Sequence, residues 1–269
     1  MNAHRTSTAV MARRVEPADS LDFFPTPPWA TRAFAEHVLP HFEPGIKHMP
    51  GMTEVLSAWD PACGEGHMAL ALEDYFRVVV ASDIFDYGFG TVADFLHPDF
   101  EPPAVDWIIT NPPFNLGAEF VKRALQLARR GVAMLVRMQF LEGEGRYAEI
   151  FGPRRPAGIF QFCERVPMHR GRWVVNGSTA TAYAWLVWRP AGAASTSFDW
   201  IPKSRQALAR HDDWLTFSGC MDLPKDHAAM KLQCYVEPVL TLQQVRAEAA
   251  ARAPASLADV RAAVMERLI

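Results

Sequence analysis

The chain has 269 residues, of which 49% are hydrophobic and 21% charged, and this ordinary soluble composition fits one large domain. Its net charge of −3 excludes a general attraction to polyanions, so nucleic-acid binding would need a local basic surface. None of the four cysteines forms a C-x-x-C pair, which argues against a structural zinc site and favours the reducing cytoplasm. No apolar run approaches the roughly 20 residues of a membrane span, so we expect no membrane association.

The two ends of the chain differ in character from its middle. Residues 1–20 carry three arginines without a following apolar block, so we expect a flexible tail and no signal peptide. Residues 21–190 are predicted to form one α/β domain, with a turn-rich stretch and a helix before residue 40. Residues 191–269 are predicted to be a partly helical extension, because Ser256 suits a helix N-cap and Leu257, Val260 and Val264 share one helical face. That face favours docking on the core over dimerisation, and the oligomeric state stays open.

Strand-like and helix-like stretches alternate through the middle of the chain. Apolar or β-branched runs predict strands at residues 55–59, 77–82, 105–110, 132–138, 159–163 and 182–188. Residues 66–76 and 118–130 are predicted helices, the second ending in two arginines and a glycine. This alternation predicts a parallel sheet with helices on both faces. The last two strands have no room for a helix between them, which favours an antiparallel pair at the sheet edge.

The first predicted strand is followed by a loop of small residues: Asp60-Pro61-Ala62-Cys63-Gly64-Glu65-Gly66. Small residues let the backbone approach a ligand closely, and loops at the carboxyl edge of such sheets bind cofactors. The glycine spacing alone leaves NAD and other cofactors open. The carboxylate of Asp60 suits an ammonium group better than a pyrophosphate, which favours a cofactor with an amino-acid moiety, such as S-adenosylmethionine.

Two further acids follow predicted strands or turns. Asp83 lies 19 residues after Gly64, where a carboxylate can accept hydrogen bonds from ribose hydroxyls, and Ile84 beside it can pack on adenine. Asp94 offers a carboxylate to the adenine amine, and Phe95 offers a ring. Each acid alone is more simply a surface or capping residue, and their common position at strand ends favours the cofactor interpretation.

The strand at residues 105–110 ends in Asn111-Pro112-Pro113-Phe114, and prolines cannot pair within a sheet. With the glycine loop and Phe24-Pro25-Thr26-Pro27, this tetrapeptide resembles the class I S-adenosylmethionine-dependent amino methyltransferases. The order of the three motifs resembles the gamma class of DNA adenine-N6 methyltransferases. The short chain resembles their compact phage or orphan members.

The resemblance covers residues 22–188 and implies a fold and a set of roles. The fold is a Rossmann-like sheet of seven strands, one of them antiparallel. Phe24 and Thr26 would contact the cofactor, together with the glycine loop and the two acids. Asn111 and the carbonyl of Pro112 would accept the two N–H groups of an adenine amine, Pro113 would stiffen the loop, and Phe114 would stack on the flipped base.

Arginines concentrate between residues 153 and 172. The members of this group are Arg154, Arg155, Arg165, Arg170 and Arg172. Arginine suits phosphates, so we expect this stretch to bind nucleic acid near the carboxyl edge that carries Asn111, although an ordinary solvated face is the simpler alternative. Few residues follow the predicted domain, so target recognition would come from this stretch and the tail, or specificity would be slight.

Two other functions compete with DNA methylation. Transfer to an RNA base or to a protein glutamine would use the same tetrapeptide, although glutamine enzymes usually carry tyrosine at the position of Phe114. A nicotinamide oxidoreductase is disfavoured by Asp60 and by the lack of an evident Tyr-x-x-x-Lys pair.

Overall fold

The computed structural model describes residues 22–44, 56–174 and 177–217. The strands are β1 Ser57–Asp60, β2 Val78–Asp83, β3 Thr91–Val92, β4 Trp107–Thr110, β5 Gly131–Arg137, β6 Gly158–Phe162, β7 Tyr183–Trp188 and β8 Ser197–Ile201. The helices are α1 Pro28–His37, α2 His67–Leu72, α3 Gly117–Leu127, α4 Glu144–Arg146, α5 Arg205–Leu208 and α6 His211–Phe217. The N-terminal tail, the predicted C-terminal helix, Cys220 and Cys234 lie outside the described residues.

The strands form one Rossmann-like sheet in the order β3-β2-β1-β4-β5-β7-β6-β8. Strand β7 pairs antiparallel with both β5 and β6, and the other neighbouring pairs are parallel. The predicted single reversed strand is confirmed, but the predicted total of seven strands is wrong, because the sheet has eight. The antiparallel pair is also not at the edge, since β8 adds beyond β6.

The two strands that the sequence analysis missed are weakly marked in the sequence. Strand β3 has only two residues, and neither is buried. In β8 only Ile201 is buried, so the strand lacks the apolar run that marks the central strands. Because β8 pairs along all of β6, the sheet continues past the predicted domain boundary at residue 190.

Apolar side chains cover both faces of the sheet, as predicted. Helices α1 and α2 pack on one face, around Phe34, Leu72 and Trp185. Helix α3 packs on the other face, where Val121 and Ala124 meet Leu186. Within the described part of the chain, no helix is both long and apolar enough to cross a membrane.

Both predicted helices flanking the core are shorter than expected. Helix α2 ends at Leu72 and not at residue 76, and α3 ends at Leu127 and not at residue 130. Gly131 does not cap the helix but is the first residue of β5. Glycine is needed there because a Cβ would lie 2.4 Å from the Trp107 ring. The guanidinium of Arg130 donates hydrogen bonds to the buried carboxylate of Glu43. The same carboxylate accepts a hydrogen bond from Trp107 Nε1 at 3.1 Å.

Candidate cofactor and acceptor site

Four neighbouring parallel strands end at the same edge of the sheet, and each carries a polar residue there. Asp83 ends β2, Asp60 ends β1, Asn111 follows β4 and Arg137 ends β5. Carboxyl edges of this kind bind ligands in open α/β sheets. Three of these four residues, all but Arg137, were predicted for the site, and they come from adjacent strands.

An open cleft lies at this edge. It brings together most of the predicted residues, namely Phe24, Thr26, Asp60, Pro61, Ala62, Cys63, Asp83, Ile84, Asp94, Phe95, Asn111 and Pro113. Gly64, Gly66, Pro112 and Phe114 are not part of the lining that the structure describes. Among the lining residues that the sequence analysis missed, four carry aromatic rings, namely Phe23, His67, Tyr87 and Phe120.

Asp60 is almost fully buried at the base of the cleft. Its Oδ1 accepts hydrogen bonds from Thr110 Oγ1 at 2.7 Å and from the Ala62 N–H at 3.3 Å. Burial nevertheless raises the pKa of Asp60 to about 7, because the protein withdraws the carboxylate from water. Near neutral pH the group therefore exists in both forms, and a cationic ligand would favour the ionised one.

Asp83 holds the glycine loop in place. Its two carboxylate oxygens accept hydrogen bonds from the N–H groups of Gly64, at 2.9 Å, and Phe85, at 3.1 Å. Burial raises the pKa of Asp83, while backbone hydrogen bonds oppose the rise. Asp94 likewise accepts from the Leu96 N–H at 2.9 Å, so both acids have structural partners while lining the cleft.

Aromatic rings lie over the glycines of the loop. A Cβ at Gly64, where φ is +53°, would be 2.3 Å from the Phe23 ring, and one at Gly66, where φ is +88°, would be 2.7 Å from the Phe89 ring. The Phe23 ring also stacks on Tyr87 with centroids 4.5 Å apart. These glycines therefore admit aromatic rings. The sequence pattern that could have identified Tyr87 and Phe89 is the alternation of aromatic residues and glycines at residues 84–90.

The N-terminal segment fixes the orientation of Asn111. Asn111 Nδ2 donates to the carbonyl of Phe24 at 2.9 Å and approaches the sulfur of Met168 at 3.6 Å. Because a carbonyl only accepts, the amide nitrogen must face Phe24 and the amide oxygen must face away from it. Asn111 Oδ1 is buried and has no hydrogen-bond partner in the described part of the chain. An unsatisfied acceptor is therefore buried beside the cleft.

The ring of Phe114 is covered by two neighbours. The guanidinium carbon of Arg137 lies 3.5 Å from its centroid, and the Phe24 ring lies 5.0 Å away at a tilt of 48°. The backbone N–H of Phe114 donates to a carboxylate oxygen of Asp22. The predicted stacking ring therefore packs against Phe24, a residue that lines the cleft, and an arginine that the sequence analysis did not select occupies its face.

The predicted arginines divide between the two edges of the sheet. Arg165, Arg170 and Arg172 are exposed between β6 and β7, on a segment that touches the site because the Gly171 N–H donates to the Phe23 carbonyl at 2.9 Å.

Arg154 and Arg155 precede β6 and lie at the opposite, amino edge. Arg154 donates to the carbonyl of Pro190, just past the end of β7, at 2.7 Å. The expectation that these two arginines share the edge of Asn111 is therefore wrong.

No group of three or more potential metal ligands is present in the described residues. No protein-family model matches the sequence, and no curated protein matches it.

Several solved structures resemble the fold. A putative class I S-adenosylmethionine-dependent methyltransferase from Listeria monocytogenes has 13% identity and a TM-score of 0.48, with 65% of each chain covered. A putative RNA methyltransferase from Pyrococcus horikoshii has 16% identity and a TM-score of 0.39, covering 52% of this chain and 77% of that one. A chain of the DrdV–DNA complex has 13% identity and a TM-score of 0.44, covering 68% and 28%.

The matched region is thus slightly under two thirds of the Listeria protein and well under one third of the DrdV chain. At identities of 13–16%, the likeness is one of fold.

Proposed function

We propose that the protein is an S-adenosylmethionine-dependent methyltransferase that acts on the exocyclic N6 amine of adenine in DNA. The observation that supports this most directly is the amide of Asn111, whose nitrogen is held by Phe24 and whose buried oxygen has no partner within the described residues. An unsatisfied acceptor held in a fixed orientation beside a cleft is suited to hold an N–H group of an acceptor substrate.

The residues of the cleft fit S-adenosylmethionine, which when bound supplies an electrophilic methyl group on a sulfonium. Asp60 is a buried carboxylate with a raised pKa, and an ammonium group would supply its missing counter-charge. Asp83 and Ile84 line the same cleft in positions suited to a ribose and an adenine ring. Asp94 and Phe95 would complete the adenine pocket.

The tetrapeptide would prepare the acceptor amine. An adenine amine is a weak nucleophile because its lone pair is delocalised into the ring. Asn111 Oδ1 would accept one N–H and the carbonyl of Pro112 the other, which favours a tetrahedral nitrogen with its lone pair available. Prolines limit the motion of these acceptors, so little reorganisation is needed during reaction. This chemistry requires no strong general base.

The arginines near the site favour nucleic acid over protein, and they would suit DNA and RNA equally well. Arg165, Arg170 and Arg172 are exposed at the edge that carries Asn111. A protein glutamine is the second candidate, and one observation favours it: Arg137 covers the Phe114 ring, and a glutamine amide needs less stacking area than a base. A nicotinamide oxidoreductase fits poorly with Asp60.

The test uses methyl-labelled S-adenosylmethionine with duplex DNA, single-stranded DNA, RNA and protein extract, followed by mass spectrometry of the product. We expect N6-methyladenine in DNA. Asn111→Ala should reduce methyl transfer at least about 100-fold, because it removes one preorganised acceptor, while the cofactor still binds.

Asn115→Ala is the matched control, since Asn115 is an exposed asparagine of the same loop and should be dispensable. Calorimetry of cofactor binding separates lost chemistry from lost folding. Methyl transfer by Asn111→Ala at the wild-type rate would disprove this role, and label in protein alone would favour the glutamine alternative.

A further inference from the structure

Arg137 is a half-buried cation with an incomplete set of partners. Its guanidinium carbon lies 3.5 Å from the Phe114 centroid and 5.5 Å from the Phe24 centroid. Its Nε is buried without a hydrogen-bond partner, and within the described residues no carboxylate lies at ion-pair distance. Within the described residues, the two aromatic rings are therefore the only groups that interact electrostatically with the guanidinium.

Two other buried or half-buried arginines of the described residues are paired with acids. Arg32 binds both Asp213 and Asp74, and Arg130 binds Glu43. Removing a charge from water is costly unless an opposite charge or several hydrogen bonds replace the solvent. The buried Nε of Arg137 has no such partner, although the residue lies beside the tetrapeptide at the end of β5. This contrast indicates that its partner comes from outside the chain.

The chemistry of the guanidinium limits what that partner can be. Arginine only donates hydrogen bonds, so its partner must be an acceptor, and the planar fork matches the oxygens of a phosphate. The guanidinium also occupies a face of the Phe114 ring. A base stacked on that face would have to displace it.

We propose that Arg137 binds a backbone phosphate of the target nucleotide, leaving the Phe114 ring as the base enters. This inference rests on the proposed action on nucleic acid. In the free protein the ring of Phe114 stabilises the unpaired cation through a cation–π contact. When nucleic acid binds, the phosphate binds the guanidinium whether or not a base is present, and the Phe114 ring is then free for the base.

The test measures binding of a short single strand of deoxyadenosines, which needs no base flipping and no particular recognition sequence. The same strand without its bases keeps the phosphates and serves as the comparison. Arg137→Gln should weaken binding of both strands about tenfold at low salt, as expected when a charge-assisted hydrogen bond is removed. A plot of log affinity against log salt concentration has a negative slope, and the variant should make it shallower by about 0.7. That is the change expected when one phosphate contact on a single strand is lost.

Two other variants control the experiment. Arg123→Gln is matched, because Arg123 is also half-buried with an unpartnered Nε, but its guanidinium bonds to the carbonyl of Phe100. It should bind both strands as the wild type does. Arg137→Lys keeps the charge without the planar fork, so it should preserve the salt slope and recover only part of the affinity. Cofactor affinity, measured by calorimetry, should be unchanged in all of them.

An unchanged salt slope and affinity in Arg137→Gln would overturn the inference. So would a weakening confined to the strand with bases, because that result would mean that Arg137 contacts a ring nitrogen. If the wild type methylates protein and binds neither strand, the proposed function itself has failed. If the wild type methylates DNA and only the Arg137 result is negative, the proposed function stands and Arg137 has no phosphate partner.

Discussion

The buried carboxylate of Asp60 gives the candidate site a pH dependence. In the protein without cofactor its pKa is about 7, compared with an ordinary value of 3.8. A bound ammonium group favours the ionised form and would lower that pKa. Cofactor affinity should therefore increase as pH rises through about 7, and binding below that pH should release a proton.

Calorimetry in buffers of different ionisation enthalpy measures that proton. Asp60→Asn should remove both the pH dependence and most of the affinity, because the amide cannot ionise. Wild-type affinity that stays flat across this pH range would contradict the assignment.

The same group affects stability in the opposite direction. Because its pKa is higher in the folded chain than in the unfolded one, the folded protein holds more protons between pH 3.8 and about 7. The contribution of Asp60 to the free energy of unfolding is therefore fully present below 3.8 and falls as pH rises to about 7.

Single residues of the site were predictable where a polar side chain suited to bind the cofactor or the acceptor amine followed a predicted strand. Asp60, Asp83 and Asn111 were selected for that reason, and the structure brings all three to one cleft. Arg137 was missed because an arginine at the end of an apolar strand is usually a solvated terminus. Phe23 was missed because its contact with Gly64 joins two distant parts of the chain.

At the scale of elements, the direction of β6 decides which arginines can meet a substrate. Because β6 runs parallel to β5, residues after it lie at the edge of Asn111, and residues before it lie at the other edge. Replacing Arg165, Arg170 and Arg172 by glutamine should weaken DNA binding and lower its salt slope by about 1 for each phosphate that is no longer bound.

Replacing Arg154 and Arg155 by glutamine is the matched control, since these residues come from the same basic stretch. Fluorescence anisotropy over a range of salt concentrations measures the affinity and the salt slope of both variants. Equal effects in the triple and double variants would contradict the division between edges.

This division could not be read from the sequence alone. The basic stretch looks continuous, but it extends past both ends of one strand, whose ends lie on opposite edges of the sheet. The antiparallel pairing of β6 with β7 was predictable from the short connection. The addition of β8 was not, because four of its five residues are exposed.

At the scale of the whole molecule, an ion network joins the first helix to the last described one. The guanidinium of Arg32 in α1 binds both oxygens of Asp213 in α6, each at 2.7 Å, and Asp74 at 3.0 Å. Asp213→Ala should lower the free energy of unfolding by about 3–5 kcal/mol, because it leaves a buried cation with one weaker partner.

Urea denaturation measures this change, and Asp212→Ala is the control, since Asp212 is the exposed neighbour in the same helix. Equal midpoints for the two variants would mean that α6 adds little to the stability of the domain.

The ion network, like the sheet, continues past the predicted domain boundary at residue 190. The run of small residues at 190–197 has a composition typical of linkers, and the acid that completes the Arg32 network lies beyond it. Composition can suggest a connecting stretch, but it cannot show that the chain returns to the same core.

The contacts that hold the N-terminal segment against the tetrapeptide also bear on the order of folding. Asn111 and Phe24 are 87 residues apart, and Phe114 and Asp22 are 92 residues apart. Closing such long loops costs entropy that must be offset by contacts formed earlier, so distant pairings tend to form late. The sheet can assemble before these pairings exist. A folding intermediate of that kind would have the native strands and still lack an oriented Asn111, so this protein would acquire its acceptor site only in the final step of folding.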